Sequence, residues 1–159
     1  MGFISPNEGS INIGNKNISS IINRWQSSIG YVSQNTYLKD DTIKNNVAYG
    51  IKEHLIDEQK VINVLQEANL FFDEKNINLN MKVGEFGSKI SGGQMQRIAI
   101  ARTLYFDSNI LIFDESTNAL DEKTEKRLVE TISKLKKTKT IIFVSHKKSS
   151  LNLCDKIYS

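Results

Sequence analysis

The sequence predicts an α/β domain built on a mainly parallel core sheet. Three observations carry this. Short apolar runs at residues 109–113 and 140–144 suit strands covered on both faces. Segments of helical period lie before and between them. The two kinds of segment alternate along the chain, as in βαβ units. In chain order, Ile29-Gly30-Tyr31-Val32-Ser33 reads as a strand leading to Gln34. Val61, Val64, Leu65 and Ala68 follow the i, i+3, i+4, i+7 pattern of a helix, with Asp57 placed to cap its start. A second helix is expected after Ser91-Gly92-Gly93, where Ser91 and Gln94 have the spacing of a capping box and Met95, Ile98, Ala99 and Arg102 share one face. Residues 109–113 form the next strand. A third helix follows Asp121, with Leu128, Ile132 and Leu135 on one stripe and the pairs Glu122–Lys126 and Glu130–Lys134 outside. The β-branched run from Thr140 to Val144 is expected to be another buried strand.

The chain has 159 residues, the size of one ordinary domain, and a single proline; no linker or internal repeat divides it. At 39% hydrophobic and 25% charged it is a folding sequence rather than a disordered one. The balance of 21 Lys+Arg against 18 Asp+Glu leaves +3, too small a bias to argue for nucleic acid. No apolar run approaches the ~18–20 residues that cross a bilayer, and the start lacks the basic and apolar regions of a secretory signal. The single cysteine, Cys154, excludes an internal disulfide and a multi-cysteine metal site. These features read as a soluble, cytosolic single domain.

Three expected strands end in polar residues: Gln34, the pair Asp114-Glu115, and His146. Ligands of open α/β sheets bind outside the carboxyl ends of the strands, so these groups can meet in one crevice. Taken singly, Gln34 also reads as a solvated loop residue and His146 as a surface or core histidine; two adjacent carboxylates are more informative. In Ile90-Ser91-Gly92-Gly93-Gln94, two glycines beside a helix start expose backbone N–H groups where the helix dipole is positive, which suits an anion. The plain alternative is a Gly-Gly loop with an ordinary serine cap, and capping competes for the same Ser91 oxygen. Lys134, Lys136, Lys137 and Lys139 read as a solvated face, Trp25 as a packing residue and Cys154 as structural.

The ordered set Ile90-Ser91-Gly92-Gly93-Gln94, Gln96-Arg97, Ala101-Arg102, Ile110-Leu111-Ile112-Phe113-Asp114-Glu115, Ala119-Leu120-Asp121 and Ser145-His146 resembles the nucleotide-binding domain of ABC (ATP-binding cassette) transporters. The resemblance runs from the Pro6/Gly9 turn to Cys154-Asp155. Two further stretches are similar to exporter-type members: Asp41-Thr42-Ile43-Lys44-Asn45-Asn46-Val47-Ala48-Tyr49-Gly50 and Val83-Gly84-Glu85-Phe86-Gly87. The resemblance implies a P-loop NTPase-like (RecA-like) fold, a mainly parallel sheet core with an inserted α-helical subdomain over about residues 40–93 that carries the signature motif. It implies ATP and Mg²⁺ as cofactors. Asp114 would hold Mg²⁺ through water, and Glu115 would polarise the water that attacks the γ-phosphate. Gln34 would sense Mg²⁺ and that water, and link the site to the membrane partner; His146 would contact the γ-phosphate. Ser91, Gly92, Gly93 and Gln94 would bind the γ-phosphate of ATP held by a second such domain in a head-to-tail pair, and Asp121 would belong to the loop communicating across that pair. The implied partners are that second domain and a transmembrane domain, fused or separate, at the cytoplasmic face of the membrane; no nucleic acid is expected.

The sequence departs from the family pattern in places. Ile90 stands where Leu is usual and Asn118 where Ser is common. No glycine is followed by lysine, so the phosphate loop G-x-x-x-x-G-K-[ST] is absent. In the family that loop lies just upstream of the turn matching Pro6-Asn7-Glu8-Gly9, and Ile157-Tyr158-Ser159 falls inside a final strand. Residues 1–159 are therefore expected to be a partial ABC ATPase domain, a fragment or truncated reading frame of a larger protein, inactive alone. The implied function of the whole is ATP-driven transport, export of a lipid-linked glycan, polysaccharide, lipid or peptide. The alternatives are a non-catalytic remnant that pairs with a complete domain, and a soluble ABC ATPase of DNA repair or translation. The exporter-like stretches argue against the last.

Overall fold

The computed structural model describes residues 1–70, 78–115, 122–145 and 154–158, leaving aside the side chains of 123 and 124. A small antiparallel hairpin, β1 (Asn12–Ile13) and β2 (Lys16–Asn17), turns at Gly14, whose φ of 58° suits glycine. The short helix α1 (Ile22–Ser27) leads into β3 (Ile29–Val32). Then come α2 (Ile43–Val47), α3 (Glu58–Glu67), α4 (Gly92–Tyr105), β4 (Ile110–Asp114), α5 (Glu122–Leu135) and β5 (Thr140–Val144). The sheet has the order β3-β4-β5 and is parallel throughout, as expected.

The local signals resolve into the elements they predict. Asp57 caps α3, accepting the Lys60 N–H at 2.9 Å, and Val61, Val64 and Leu65 are buried. Ser91 is the extended N-cap of α4, so the two glycines form the first turn of that helix rather than preceding it. In α5, Leu128, Ile132 and Leu135 are buried on one stripe. Glu122 and Lys126 pair at 2.8 Å; Glu130 and Lys134 form no ion pair among the described residues.

Beyond the face shared by Met95, Ile98, Ala99 and Arg102, α4 also buries Gly93 and residues 96–97, 100–101 and 103–105, because it packs at once on α2, α3 and β3. One expectation is corrected: neither β4 nor β5 is covered on both faces. Register places Val32, Phe113 and Phe143 in one row and Tyr31, Ile112 and Ile142 in the next. The first row lies in or against the core, with the Phe113 and Phe143 rings 5.8 Å apart. On the other face Tyr31, Ile142 and Val144 stay 43%, 48% and 45% exposed. β5 is thus a half-exposed strand at the edge of the described sheet, packed on the core through Ile141 and Phe143 on one face only.

Between residues 40 and 93 the described chain adds α2 and α3 but no strand to this sheet. Its parts are tied together by main-chain bonds, Ile43 N–H to Met81 O at 3.0 Å and Val83 N–H to Asp41 O at 3.0 Å. Asn46 is fully buried and satisfied, accepting from Lys39 N–H and donating to the carbonyls of Lys39 and Thr42.

Candidate functional site

Parallel pairing brings the strand ends into line. Val32 pairs with Phe113, and Asp114 with Val144, so β3, β4 and β5 finish at one edge of the sheet. Gln34, exposed, follows β3 by two residues. Asp114 ends β4 and is half-buried; its Oδ2 accepts a hydrogen bond from the Tyr31 hydroxyl at 2.5 Å. That bond, with burial and the carboxylate charge behind it, raises the Tyr31 phenol above its ordinary range, so it stays a donor. Glu115 leaves the strand with φ of 47°, a left-handed conformation that costs a non-glycine residue energy and tends to be kept where it serves a site. Its N–H donates to Val144 O at 3.0 Å, tying the exit of β4 to that of β5. His146 and Asp121 lie outside the described residues, as does Asn118.

The second group sits at the start of α4. Gln94 N–H donates to Ser91 Oγ at 3.2 Å, and Ser91 N–H donates to Gln94 Oε1 at 2.8 Å, a complete capping box. The Gln94 amide oxygen is therefore committed to its own helix. Ser91 uses its oxygen as acceptor and keeps its hydroxyl proton to give. A Cβ at Gly92 would meet nothing within 4 Å, so its backbone is open to approach. First-turn N–H groups have no partner within the helix, and the dipole favours an anion there. Ser91 and Gln94 bond to each other and Asp114 to Tyr31, so the two groups are held separately.

The donor set fits a magnesium ion attached to a phosphate. Asp114 and Glu115 offer hard carboxylate oxygens and Gln34 an amide oxygen, while Asp114 Oδ1 receives no hydrogen bond among the described residues. No group of three His, Cys, Asp or Glu able to hold a metal occurs among the described residues. One or two carboxylates suit Mg²⁺, which keeps several waters and is otherwise held by substrate phosphates. The phosphate cradle is a different matter: with no Gly-Lys step in the sequence, no lysine of a phosphate loop is present.

Two contributors escaped the sequence reading. Tyr31 is one; its only signal is its parity with Asp114, which becomes visible once β3 and β4 are in register. The other is Arg102, which the helical pattern groups with apolar residues. Its Nε donates to Asn46 O at 2.8 Å and its Nη2 to Tyr37 O at 3.2 Å, and its guanidinium lies 5.0 Å from the Tyr49 ring centroid. It latches α4 to the segment just after Gln34.

The aligned ends of a parallel sheet carry two carboxylates and an amide, and a glycine-rich helix start lies elsewhere in the same α/β domain. A family profile described as ABC transporter matches residues 1–118, and the chain belongs to the ABC transporter family, with its P-loop NTPase fold. An ATP-dependent lipid A-core flippase of Francisella tularensis subsp. tularensis (strain SCHU S4 / Schu 4) is 38% identical over 158 residues, covering 98% of this chain and 26% of the flippase. A multidrug resistance ABC transporter ATP-binding and permease protein of Lactococcus lactis subsp. cremoris (strain MG1363) is 38% identical over 159 residues, covering 98% of this chain and 27% of that protein. The solved structure of a bacterial Atm1-family ABC exporter with ATP bound superposes with a TM-score of 0.79 at 34% identity, covering 94% of this chain and 27% of that one. The chain thus spans about a quarter of the length of these curated relatives. No described helix is long and apolar enough to cross a membrane.

Proposed function

We propose that this chain forms part of the ATP-hydrolysing domain of a membrane exporter. The observation that carries the reading is the alignment of Gln34, Asp114 and Glu115 at one sheet edge in a chain of the ABC transporter family. In the complete protein, Asp114 would hold Mg²⁺ through water, and Glu115 would orient and polarise the water that attacks the γ-phosphate. Gln34, on the loop latched by Arg102, reports the state of the site to a transmembrane partner. His146 would contact the γ-phosphate. When bound, Mg²⁺ neutralises charge on the phosphoryl oxygens; the protein's share is positioning and electrostatic stabilisation. Ser91, Gly92, Gly93 and Gln94 present N–H and O–H donors to ATP held by a second domain in a head-to-tail pair, and Asp121 lies on the loop between the two. Residues of about 40–93 form the helical subdomain with the signature motif and the remainder the core, at the cytoplasmic face of the membrane. Without a phosphate-loop lysine, the 159 residues alone are inactive in this reading. The relatives named above are a flippase and a multidrug transporter by description, which supports export of a lipid-linked glycan, polysaccharide, lipid or peptide over the soluble-ATPase alternative.

The test is Glu115→Gln in the complete protein. The amide keeps the shape of the side chain and removes the charge that orients water. Hydrolysis should fall at least 100-fold, the scale on which single acid–base groups act, while ATP binding persists. Equal turnover in wild type and Glu115→Gln would overturn the assignment.

A further inference from the structure

We propose that Tyr31 is a positioning residue for Asp114, holding its carboxylate so that one defined oxygen faces a hydrated divalent cation; this rests on the metal role given to Asp114 above. The two residues come from different strands, and register explains why they meet. Tyr31 pairs with Ile112 across β3 and β4, so Asp114 stands one same-face position further along, within reach of the phenol. The Tyr31 hydroxyl donates to Asp114 Oδ2 at 2.5 Å, the short distance of a bond to a charged acceptor. On the other side of Asp114 the paired residue is Val144, which has no polar side-chain atom to compete. Tyr31 is therefore the single side chain among the described residues that fixes the rotation of this carboxylate, and it does so through Oδ2 alone. Oδ1, which accepts no hydrogen bond from a described residue, would be the oxygen offered to the hydrated cation. Without the phenol hydroxyl the carboxylate turns freely, and an ion that tolerates little departure from octahedral geometry loses a preset ligand.

The experiment uses the complete protein and four forms of it: wild type, Tyr31→Phe, Tyr31→Leu and Asp114→Asn. Binding of Mn²⁺ is followed by electron paramagnetic resonance in the presence of ATP, and the Mg²⁺ dependence of hydrolysis is measured alongside. Tyr31→Phe keeps the ring on a half-exposed face, so packing is preserved. We expect it to weaken Mn²⁺ about 3–10-fold, within the range seen when groups supporting a metal ligand are removed. The Mg²⁺ concentration for half-maximal rate should rise in step, with the rate largely recovered at saturating Mg²⁺. Tyr31→Leu should match Tyr31→Phe. If Tyr31→Phe restores wild-type affinity and only Tyr31→Leu is impaired, the tyrosine is a packing residue and the proposal falls. If Asp114→Asn weakens Mn²⁺ and Tyr31→Phe does not, the positioning role falls while the metal role of Asp114 stands. If neither variant changes Mn²⁺ affinity, the metal role itself is overturned, and this proposal with it.

Discussion

Gly30 of β3 lies against Thr103 of α4 so closely that a β-carbon at position 30 would stand 2.5 Å from Thr103 Cβ and 2.8 Å from its Cγ2. The φ of Gly30 is not positive; the glycine is required by space and not by backbone conformation. The close approach sets α4 down on the sheet, and with it the helix start that carries Ser91.

Gly30→Ala should therefore destabilise the chain by about 1–3 kcal/mol, the usual effect of overpacking. Gly92→Ala, where a β-carbon meets nothing within 4 Å, is the control and should be near neutral. Urea unfolding followed by circular dichroism reads both as shifts in midpoint. A Gly30→Ala midpoint equal to wild type would show that α4 does not pack as described.

Ser91 caps α4 and, in the reading proposed above, faces a phosphate; substitution can separate the two roles. Ser91→Ala removes the acceptor for Gln94 N–H and should lower stability by about 0.5–2 kcal/mol, the range for a lost N-cap. Ser91→Asp keeps an acceptor, so its unfolding midpoint should stay near wild type. In the complete protein, however, a carboxylate at the helix start would repel a phosphate and suppress ATP-driven pairing. An Asp variant that pairs and hydrolyses ATP normally would remove residue 91 from the anion site.

Much of the fold is legible in the sequence because capping and periodicity are local. Asp57 and the Ser91–Gln94 box announce α3 and α4 without reference to the rest of the chain. Coverage of a strand is not local. The run from Thr140 to Val144 is equally apolar whether one face is covered or two, and only the assembled fold shows that Ile142 and Val144 stay half-exposed. The site divides the same way. Gln34, Asp114 and Glu115 are legible as polar endings of apolar strands. Tyr31 is not, since its partner is 83 positions away and register alone pairs them. Arg102 hides within a helical pattern for the same reason, its acceptors being carbonyls of Asn46 and Tyr37.

Acid should expose the role of Asp41. Burial opposes its ionisation, but bonds from Asn45 Nδ2, Thr42 N–H and Lys39 Nζ outweigh it and hold the carboxyl below its ordinary value. A depressed carboxyl stabilises the fold above its unfolded pKa, and this contribution is lost as pH falls through the folded value. Asp41→Asn should thus be less stable than wild type at pH 7, with the difference shrinking below the ordinary aspartate value of 3.8. Urea midpoints measured at both ends of that range test it. A gap that stays constant on acidification would mean the Asp41 charge contributes nothing.

Residues 91–94 form one donor-rich group, held by its own capping box, while Asp114 and Glu115 place two carboxylates at the strand ends of the same chain. Ser91 and Gln94 bond to each other and Asp114 to Tyr31, so no bond among the described residues joins the two groups within one chain. In the head-to-tail reading, the α4 start of one domain instead closes over ATP seated on its partner. Gly93→Asp would then set a negative charge against the partner's phosphate, blocking closure while leaving nucleotide binding at the domain's own site nearly unchanged. The measurement mixes complete Gly93→Asp protein with complete protein whose phosphate-loop lysine is replaced. Each is expected to be inactive alone. A mixed dimer contains one site built from the intact α4 start of one protein and the intact phosphate loop of the other, so part of the ATPase activity should return in proportion to the fraction of mixed dimers. If mixed dimers form and no activity returns, residues 91–94 do not act across the pair.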